Sequence, residues 1–232
     1  MKLFSIESDP KTSKGSKRGV LTAVQYLAPA WLSGRDVCQY KSPGCTLVCL
    51  NTAGQFGGKQ RTQDSRIKKT NFFFDERTEY FAQLIKEIEA FLRQAKKLGM
   101  VPAVRLNGTS DMPWHKMPFT INGQKFANIM QRFSDVQFYD YTKRPAYNET
   151  LPDNYHLTFS KSETNDAMVK DAITAGMNVA IVFKNVPTSY QNREVIDGDL
   201  DDLRFLDKQG VIVGLKAKGK ARQDTTGFVV QG

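Results

Sequence analysis

The residues with the clearest potential for chemistry are three cysteines within one short segment. Cys38, Cys45 and Cys49 form a Cys-x6-Cys-x3-Cys arrangement, and the chain has no other cysteine. Thiolates are preferred ligands of zinc and of iron–sulfur clusters. If Cys45 and Cys49 open a helix, their spacing of four places both sulfurs on one face, and Pro43 and Gly44 let the preceding loop bring in Cys38. The spacing therefore predicts one metal centre in this cysteine loop.

Two metals and one interpretation without metal are compatible with these cysteines. A cubane [4Fe-4S] cluster on three cysteines leaves one iron open for a small molecule. Zinc needs a fourth ligand, which His115, His156 or a carboxylate would have to supply. Alternatively, the cysteines are small apolar residues that are simply buried. The Lys, Ser, Pro and Gly residues around them are untypical of a core strand, and we therefore expect a metal, with iron–sulfur preferred to zinc.

A second candidate site is the segment RLNGTSDMPW (105–114), where a predicted strand turns into a loop. Asn107 and Asp111 could bind ribose hydroxyls or an amino group, and Arg105 could bind a carboxylate or phosphate. The alternative is structural, with Asp111 capping the next segment and Arg105 in an ion pair. The residue types alone leave both interpretations open.

Polar side chains alternate with other residues along two further predicted strands. They are Tyr139, Tyr141 and Lys143 in one strand, and His156, Thr158 and Ser160 in the other. Alternate residues of a strand share a face, so each set could line a substrate pocket. The alternatives are an aromatic core strand and a histidine whose hydrogen bonds are satisfied within the core.

Basic residues gather in three parts of the chain, whose net charge is +9. They are Lys11, Lys14, Lys17 and Arg18; Lys59, Arg61, Arg66, Lys68 and Lys69; and Lys216, Lys218, Lys220 and Arg222. Such clusters attract polyanions, so a nucleotide or nucleic acid is the expected partner. The alternatives are a solvated surface with a mobile basic arm at residues 1–19 and, for the third cluster, a charged edge strand that resists aggregation.

The elements that would position these residues alternate along the chain. Short apolar strands are predicted at 20–27, 101–108, 136–143, 154–160, 178–184 and 211–216. Helices are predicted from Asp75 to Gly99, where apolar residues recur every three or four positions, and at 128–133, 163–175 and 199–208. This alternation predicts a mostly parallel α/β sheet.

Polar residues at alternate strand positions favour a barrel over a sheet that helices cover on both faces. The predicted fold is a single-domain (βα)6 partial TIM-like barrel over residues 20–232, preceded by the basic N-terminal arm at 1–19. The metal-binding cysteine loop at 38–49 then follows the first barrel strand. The sequence does not predict an oligomeric state.

Several classes of protein are excluded by what the sequence lacks. No apolar run approaches the roughly 18 residues of a bilayer span, and the N-terminus lacks a secretory signal. We therefore expect no membrane association and a cytoplasmic location, the host cytoplasm if the protein is phage-encoded. GQFGGK (54–59) lacks P-loop spacing, and the other common nucleotide and hydrolase motifs are missing, so ATP hydrolysis and nicotinamide redox chemistry are unsupported.

A resemblance extends these expectations. RLNGTSDMPW, FYDYTK and VIVGLKAKGKARQDTTGFVV are similar to segments of a phage and prophage family related to the gene product 88 domain, over nearly the whole chain. The cysteine loop after the first strand also resembles that of radical S-adenosylmethionine enzymes. This second resemblance implies a [4Fe-4S] cluster whose open iron binds the amino and carboxylate groups of S-adenosylmethionine. The usual loop of those enzymes is Cys-x3-Cys-x2-Cys with an aromatic residue before the last cysteine, where this chain has Val48.

The leading hypothesis is an iron–sulfur, radical S-adenosylmethionine-like enzyme that modifies a nucleotide or nucleic acid. Its candidate catalytic residues are Asp111, Tyr141 and His156. Its candidate cofactor-binding residues are Arg105, Asn107, Thr158, Ser160 and Lys216. The first alternative is a non-enzymatic nucleic-acid-binding protein in which zinc or a cluster only stabilises the cysteine loop. The second is a virion or host-interaction protein on a degenerate barrel that binds neither cofactor nor nucleic acid.

Overall fold

The helices and strands follow from a computed structural model, which describes residues 1–6, 10–53 and 58–232. The helices are α1 Pro10–Ser16, α2 Ala30–Ser33, α3 Pro43–Leu47, α4 Gln60–Asp75, α5 Arg77–Leu98, α6 Ile129–Arg132 and α7 Asp166–Thr174. The strands are β1 Phe4–Ile6, β2 Val20–Gln25, β3 Val101–Arg105, β4 Phe119–Ile121, β5 Gln124–Phe126, β6 Gln137–Thr142, β7 Tyr155–Ser160, β8 Val179–Phe183, β9 Ser189–Tyr190, β10 Arg193–Asp197 and β11 Ile212–Lys216. Within these ranges, every helix is too short or too polar to cross a membrane.

The strands form one mixed sheet and a separate hairpin. In the described residues, nine strands hydrogen-bond in the order β1-β2-β3-β6-β7-β8-β11-β10-β9, and β4 pairs with β5 alone. The pairs β2–β3, β3–β6, β7–β8, β8–β11 and β10–β11 are parallel. The pairs β1–β2 and β9–β10 are antiparallel. The protein is therefore α/β with a mostly parallel sheet, as the sequence predicts.

The predicted (βα)6 partial barrel is wrong. The sheet of the described residues does not close, because β1 pairs only with β2 and β9 only with β10. Helices also fail to follow every strand: the β6–β7 connection contains a 3₁₀ turn at Ala146–Asn148, and the predicted helix at 199–208 is a 3₁₀ turn at Arg204–Leu206. The architecture is thus an open mixed sheet.

The missed strand pair β9–β10 has a local cause. Gln191 and Asn192 lie between these strands with φ values of 47° and 59°. Two consecutive positive φ values are typical of the tight turns that match the twist of a hairpin. Asparagine tolerates this conformation, but the absence of glycine made the turn hard to recognise from the sequence.

The stretch expected to be a basic arm contains regular structure. β1 and α1 both lie within residues 1–19, and β1 pairs with β2. Residues 7–9 of this stretch, and residues 54–57 of the glycine-rich segment, lie outside the described residues. The predicted arm therefore contains a helix over Pro10–Ser16.

The chain divides into two compact units. The first consists of Met1–Cys38, Gln60–Asp140 and Leu151–His156. The second consists of Gln39–Lys59, Tyr141–Thr150 and Leu157–Gly232.

The first unit packs around α5, the helix predicted after Asp75. Its buried face includes Tyr80, Phe81 and Leu84, and Gly99 ends it with φ 66°. The Tyr80 ring stacks on Trp114 at a centroid distance of 6.3 Å, and its buried hydroxyl donates to the side-chain oxygen of Gln25. A buried phenol must find an acceptor, so this bond ties α5 to the end of β2.

The second unit has its own apolar core. The fully buried residues Phe159, Ile181, Phe183 and Ile212 come from β7, β8 and β11, and Ala172 of α7 packs against them. Continuous apolar runs such as VAIVF of β8 are typical of parallel strands that are covered on both faces. This core fixes the ends of the three strands.

Candidate functional site

Asn107 organises the loop that follows β3 in the first unit. Its side-chain oxygen accepts hydrogen bonds from Ser110 Oγ at 2.8 Å, from the Met112 amide at 3.0 Å and from Trp114 Nε1 at 3.1 Å. Its side-chain amide donates to the Met112 carbonyl at 3.0 Å. One buried side chain thus folds residues 107–114 against the end of β3.

A buried carboxylate on β6 holds Asn107 in turn. Asp140 is 1% exposed, and it accepts hydrogen bonds from the Asn107 amide at 2.7 Å and the Tyr155 hydroxyl at 3.0 Å. Arg105 Nε lies 4.0 Å from Oδ1, the oxygen that accepts from the Asn107 amide. Burial raises the pKa of Asp140 to about 7, although Arg105 and these hydrogen bonds lower it and only the charge of Asp111 adds to the rise. Asp140 therefore exchanges its proton near neutral pH.

Cys38 lies against this loop. Its Sγ is 4.0 Å from the Thr109 carbonyl oxygen, and its amide donates to the Asp36 carboxylate at 2.9 Å. The preceding residue, Val37, accepts a hydrogen bond from the Asp111 amide at 2.8 Å. The first cysteine is thus positioned by the same loop that Asn107 folds.

Of the residues that the sequence predicted in this unit, Arg105, Asn107 and Asp111 gather around Asp140. His156 is half-buried on β7. Arg105 is in an ion pair, which is the structural alternative the sequence left open. Asn107 forms its hydrogen bonds within the loop and with Asp140.

The other two cysteines belong to the second unit, and Glu163 positions the start of their segment. Its carboxylate accepts hydrogen bonds from Ser42 Oγ and the Gly44 amide, both at 2.7 Å. Ser42 Oγ also accepts from the Cys45 amide at 3.1 Å and so caps α3. Charge-assisted bonds of this kind are among the stronger ones in proteins. Glu163 therefore fixes α3 to the loop after β7.

The helix expected to hold both Cys45 and Cys49 ends too early. Cys45 lies inside α3, but α3 stops at Leu47 and Cys49 adopts φ −50° and ψ 131° before the 3₁₀ turn Leu50–Thr52. Its sulfur faces that turn and accepts a bond from the Asn51 amide at 3.5 Å. The two cysteines therefore do not occupy successive turns of one helix.

In the described conformation the candidate ligands are not gathered into a metal site. Across residues 1–6, 10–53 and 58–232, no group of three or more His, Cys, Asp or Glu side chains could hold a metal ion. The three cysteines, all in described segments, are half-buried and form no disulfide. No step of chemistry can be derived through a cluster from this arrangement, and the cluster stays a prediction from residue types and spacing.

Lysines stand at the ends of four neighbouring strands in the second unit. They are Lys143 after β6, Lys161 after β7, Lys184 after β8 and Lys216 at the end of β11. Because β7, β8 and β11 are parallel, their carboxyl ends lie at one edge of the sheet, where open α/β sheets bind ligands. We call this set the strand-end lysines.

The strand-end lysines differ in their neighbours. Lys143 Nζ donates to Ser160 Oγ at 3.2 Å, and Lys161 pairs with Asp166. Lys184 and Lys216 are exposed and make no ion pair within the described chain. The last two are therefore open to a phosphate.

Two further residues that the sequence predicted in this unit, Tyr141 and Thr158, lie one and two residues before the last residues of β6 and β7. The Tyr141 hydroxyl donates to Asp202 at 3.4 Å. Thr158 is fully buried, and its hydroxyl has no hydrogen-bond partner among the residues described. Ser160 and Lys216 are thus the two predicted cofactor-binding residues of this unit that stand at strand ends.

The third basic cluster packs against the cysteine segment of the same unit. The 3₁₀ turn Gly219–Gln223 contacts the turn Leu50–Thr52, and Val48, Ala221 and Phe228 form an apolar cluster with Cys45. The carboxylate of Asp199 accepts bonds from the Lys216 amide at 2.9 Å and Lys218 Nζ at 2.6 Å. Asp199 therefore neutralises part of this cluster.

Sequence reasoning missed Asp140, Glu163, Lys161 and Lys184. Asp140 alternates with Phe138 on one face of an apolar strand, and an acid on a buried face is a signal that could have found it. A second signal was the repeated lysine after each strand, in YTK, FSK, VFK and GLK. Nothing local marks Glu163, because its partners are more than a hundred residues away.

Comparison with known proteins gives one match. A family model described as gene product 88 matches residues 3–232. No curated protein and no solved structure gives a significant match.

The contact between the ends of β2 and β3 predicts that Gly108→Ala is destabilising. A Cβ at this position would lie 2.6 Å from the Gln25 carbonyl oxygen and 2.6 Å from the Tyr26 ring. The backbone oxygen cannot move without breaking β2, so we expect a loss of about 1–3 kcal/mol in the free energy of unfolding, measured by urea denaturation. Gly58→Ala is the matched control, since its Cβ would meet nothing within 4 Å. Equal stability of the two variants would contradict this packing.

The raised pKa of Asp140 predicts a pH-dependent stability. The folded protein holds this proton up to about pH 7, whereas an unfolded aspartic acid releases it near 3.8. The stability from the buried neutral form is therefore complete below about pH 4 and is lost as pH rises toward 7. The Asp140→Asn side chain is neutral at every pH, so the variant should lack this pH-dependent loss. Between pH 4 and 7 its unfolding free energy should therefore fall by less than that of the wild type, and the difference should be roughly 4 kcal/mol at most. The exposed Asp135→Asn should retain the wild-type profile, and a parallel profile for Asp140→Asn would show that the carboxyl titrates normally.

Proposed function

The chain belongs to the gene product 88 family, and from this premise we propose that it is a phage protein that binds nucleic acid through its phosphates. The binding site we propose is the set of strand-end lysines in the second unit, continued by the basic segment 216–222. The placement of one lysine at each of four neighbouring strand ends carries this proposal.

The chemistry of lysine supports a phosphate ligand. Its ammonium group is a compact point charge with three donors, which suits phosphate oxygens approaching from several directions. Lys161 pairs with Asp166, whereas Lys184 and Lys216 make no ion pair with any described residue. An anion at this edge would therefore meet uncompensated positive charge at Lys184 and Lys216.

The extent of the charge supports a polymer rather than a small anion. Lys220 and Arg222 continue from the end of β11, are exposed, and form no ion pair in the described part of the chain. Lys220 and Arg222 lie in the 3₁₀ turn Gly219–Gln223 and follow Lys216 and Lys218 in the chain. Several cations in succession match the repeated phosphates of a nucleic acid backbone. The net charge of +9 acts in the same direction by attracting polyanions at long range.

This proposal predicts a specific loss of binding when two exposed strand-end lysines are neutralised. The double variant Lys184→Gln, Lys216→Gln should bind a labelled oligonucleotide roughly tenfold more weakly at low salt. The slope of log affinity against log salt should become shallower by about 1.4, since each contact to a single-strand phosphate contributes about 0.7. Fluorescence anisotropy across a salt series measures both quantities.

A matched control removes the same charge elsewhere. Lys125 and Lys170 are exposed, in β5 and α7, and neither stands at the end of a sheet strand in the second unit. The double variant Lys125→Gln, Lys170→Gln should keep nearly all of the affinity. Equal weakening by the two double variants would show that binding follows net charge alone, and would rule out the strand-end site.

We also propose, as a second candidate, the iron–sulfur enzyme expected from the cysteine spacing and its resemblance to radical S-adenosylmethionine enzymes. The observation in its favour is that all three cysteines, each within the described ranges, are half-buried thiols outside any disulfide. Protein purified without oxygen should then be brown, with about four irons per chain, and the triple variant Cys38→Ala, Cys45→Ala, Cys49→Ala should be colourless.

Binding of S-adenosylmethionine separates an enzyme from a structural cluster. Affinity for this compound and its reductive cleavage would support the enzyme, whereas iron without affinity would support a structural role. Wild-type protein that contains no iron after anaerobic reconstitution would end this second candidate and leave the nucleic-acid proposal intact.

A further inference from the structure

Three large apolar side chains of the cysteine segment face solvent. Tyr40 is 44% exposed, Leu47 61% and Leu50 59%, and all three lie within eleven residues of the second unit. Isolated exposed apolar residues need no explanation, but a local group of them marks an interaction surface.

The backbone beneath these side chains is held in place. Glu163 anchors Ser42 and Gly44 at the start of α3. Val48, between Leu47 and Leu50 in the chain, is buried against Ala221 and Phe228. Leu47 and Leu50 therefore project from a fixed support, which lowers the entropy lost when they contact a ligand.

Exposed cations stand beside the two leucines. Ala221, which packs on Val48, lies between Lys220 and Arg222, and both of these side chains are exposed. The 3₁₀ turns Leu50–Thr52 and Gly219–Gln223 are in contact. The surface thus combines apolar groups with positive charge. We call Tyr40, Leu47, Leu50, Lys220 and Arg222 the loop platform.

We propose that the loop platform contacts the unpaired bases of a single-stranded nucleic acid whose phosphates lie on the strand-end lysines. This inference rests on the proposed nucleic-acid binding and specifies its substrate as single-stranded. Proteins that bind single strands combine a cationic track for the backbone with aromatic or apolar groups for the bases, and arginine also stacks on bases. A duplex keeps its bases stacked inside and would leave Tyr40, Leu47 and Leu50 without partners.

Other occupants fit the platform less well. A helix that binds membranes needs a broad apolar face over several turns, whereas α3 has only five residues. The core of a protein interface is depleted of lysine, whereas Lys220 and Arg222 here flank Ala221, which packs on Val48 between the two leucines in the chain. The charge of the platform is complementary to a polyanion.

The test compares three ligands with equal numbers of phosphates: single-stranded oligothymidylate, an abasic oligonucleotide and a duplex. Wild-type protein should bind the oligothymidylate at least fivefold more tightly than the abasic strand at the same salt concentration, because only the former offers bases. The variant Tyr40→Ser, Leu50→Ser should bind both strands about equally. Leu200→Ser is the matched control, because Leu200 is 64% exposed in the same unit but outside the cysteine segment. It should keep the wild-type preference.

The outcomes separate this inference from the proposed function. Equal affinity of the wild type for the abasic strand and oligothymidylate, or tighter binding of the duplex, would overturn the base contacts while leaving phosphate binding in place. Retention of the preference by Tyr40→Ser, Leu50→Ser would place the base contacts elsewhere and overturn the platform. Failure to bind any of the three ligands would overturn both proposals. Binding to vesicles of anionic lipid would not rescue them, because it would identify a membrane surface as the partner.

Discussion

Parallel pairing of β7, β8 and β11 determines where the chemistry of the second unit can lie. Parallel strands bring their carboxyl ends to one edge, so residues that are far apart in sequence, such as Lys161 and Lys216, end on the same side of the sheet. The apolar core of these strands excludes lysine from their interiors, so their lysines lie at the ends, where they meet solvent. The sequence places a lysine at the end of each strand, and the parallel topology gathers these lysines at one edge of the sheet.

The first unit depends on a different constraint, the burial of one carboxyl group. Moving an ionised carboxylate out of water is costly, and Asp140 meets this cost with donors from Asn107 and Tyr155 and with the nearby cation of Arg105. Because Asn107 also folds the loop after β3, the state of Asp140 is linked to the position of Asp111 and, through Val37, of Cys38. A proton gained or lost at Asp140 thus acts on a loop that carries two of the sequence-predicted site residues, Asn107 and Asp111.

Local signals explain what the sequence could predict. The recurrence of apolar residues every three or four positions identified α5, and apolar runs identified β3, β6, β7, β8 and β11, because both patterns report burial directly. The barrel failed for the opposite reason: strand order, edge strands and the β9–β10 hairpin depend on pairing partners that periodicity does not encode. Asp140 and Glu163 were missed for the same reason, since their roles are set by residues from distant parts of the chain.

The backbone of the cysteine segment decides between two arrangements of one loop. For Cys45 and Cys49 to present their sulfurs from one helical face, Cys49 would have to exchange ψ 131° for a helical value of about −40°. That rotation would redirect the chain after Cys49 and pull Leu50–Thr52 from its contact with Gly219–Gln223. A metal bound by a helical pair of cysteines would therefore dismantle the surface that presents Leu50 beside Lys220 and Arg222. The helical cysteine pair that the spacing predicts and the observed contact between Leu50–Thr52 and Gly219–Gln223 therefore exclude each other.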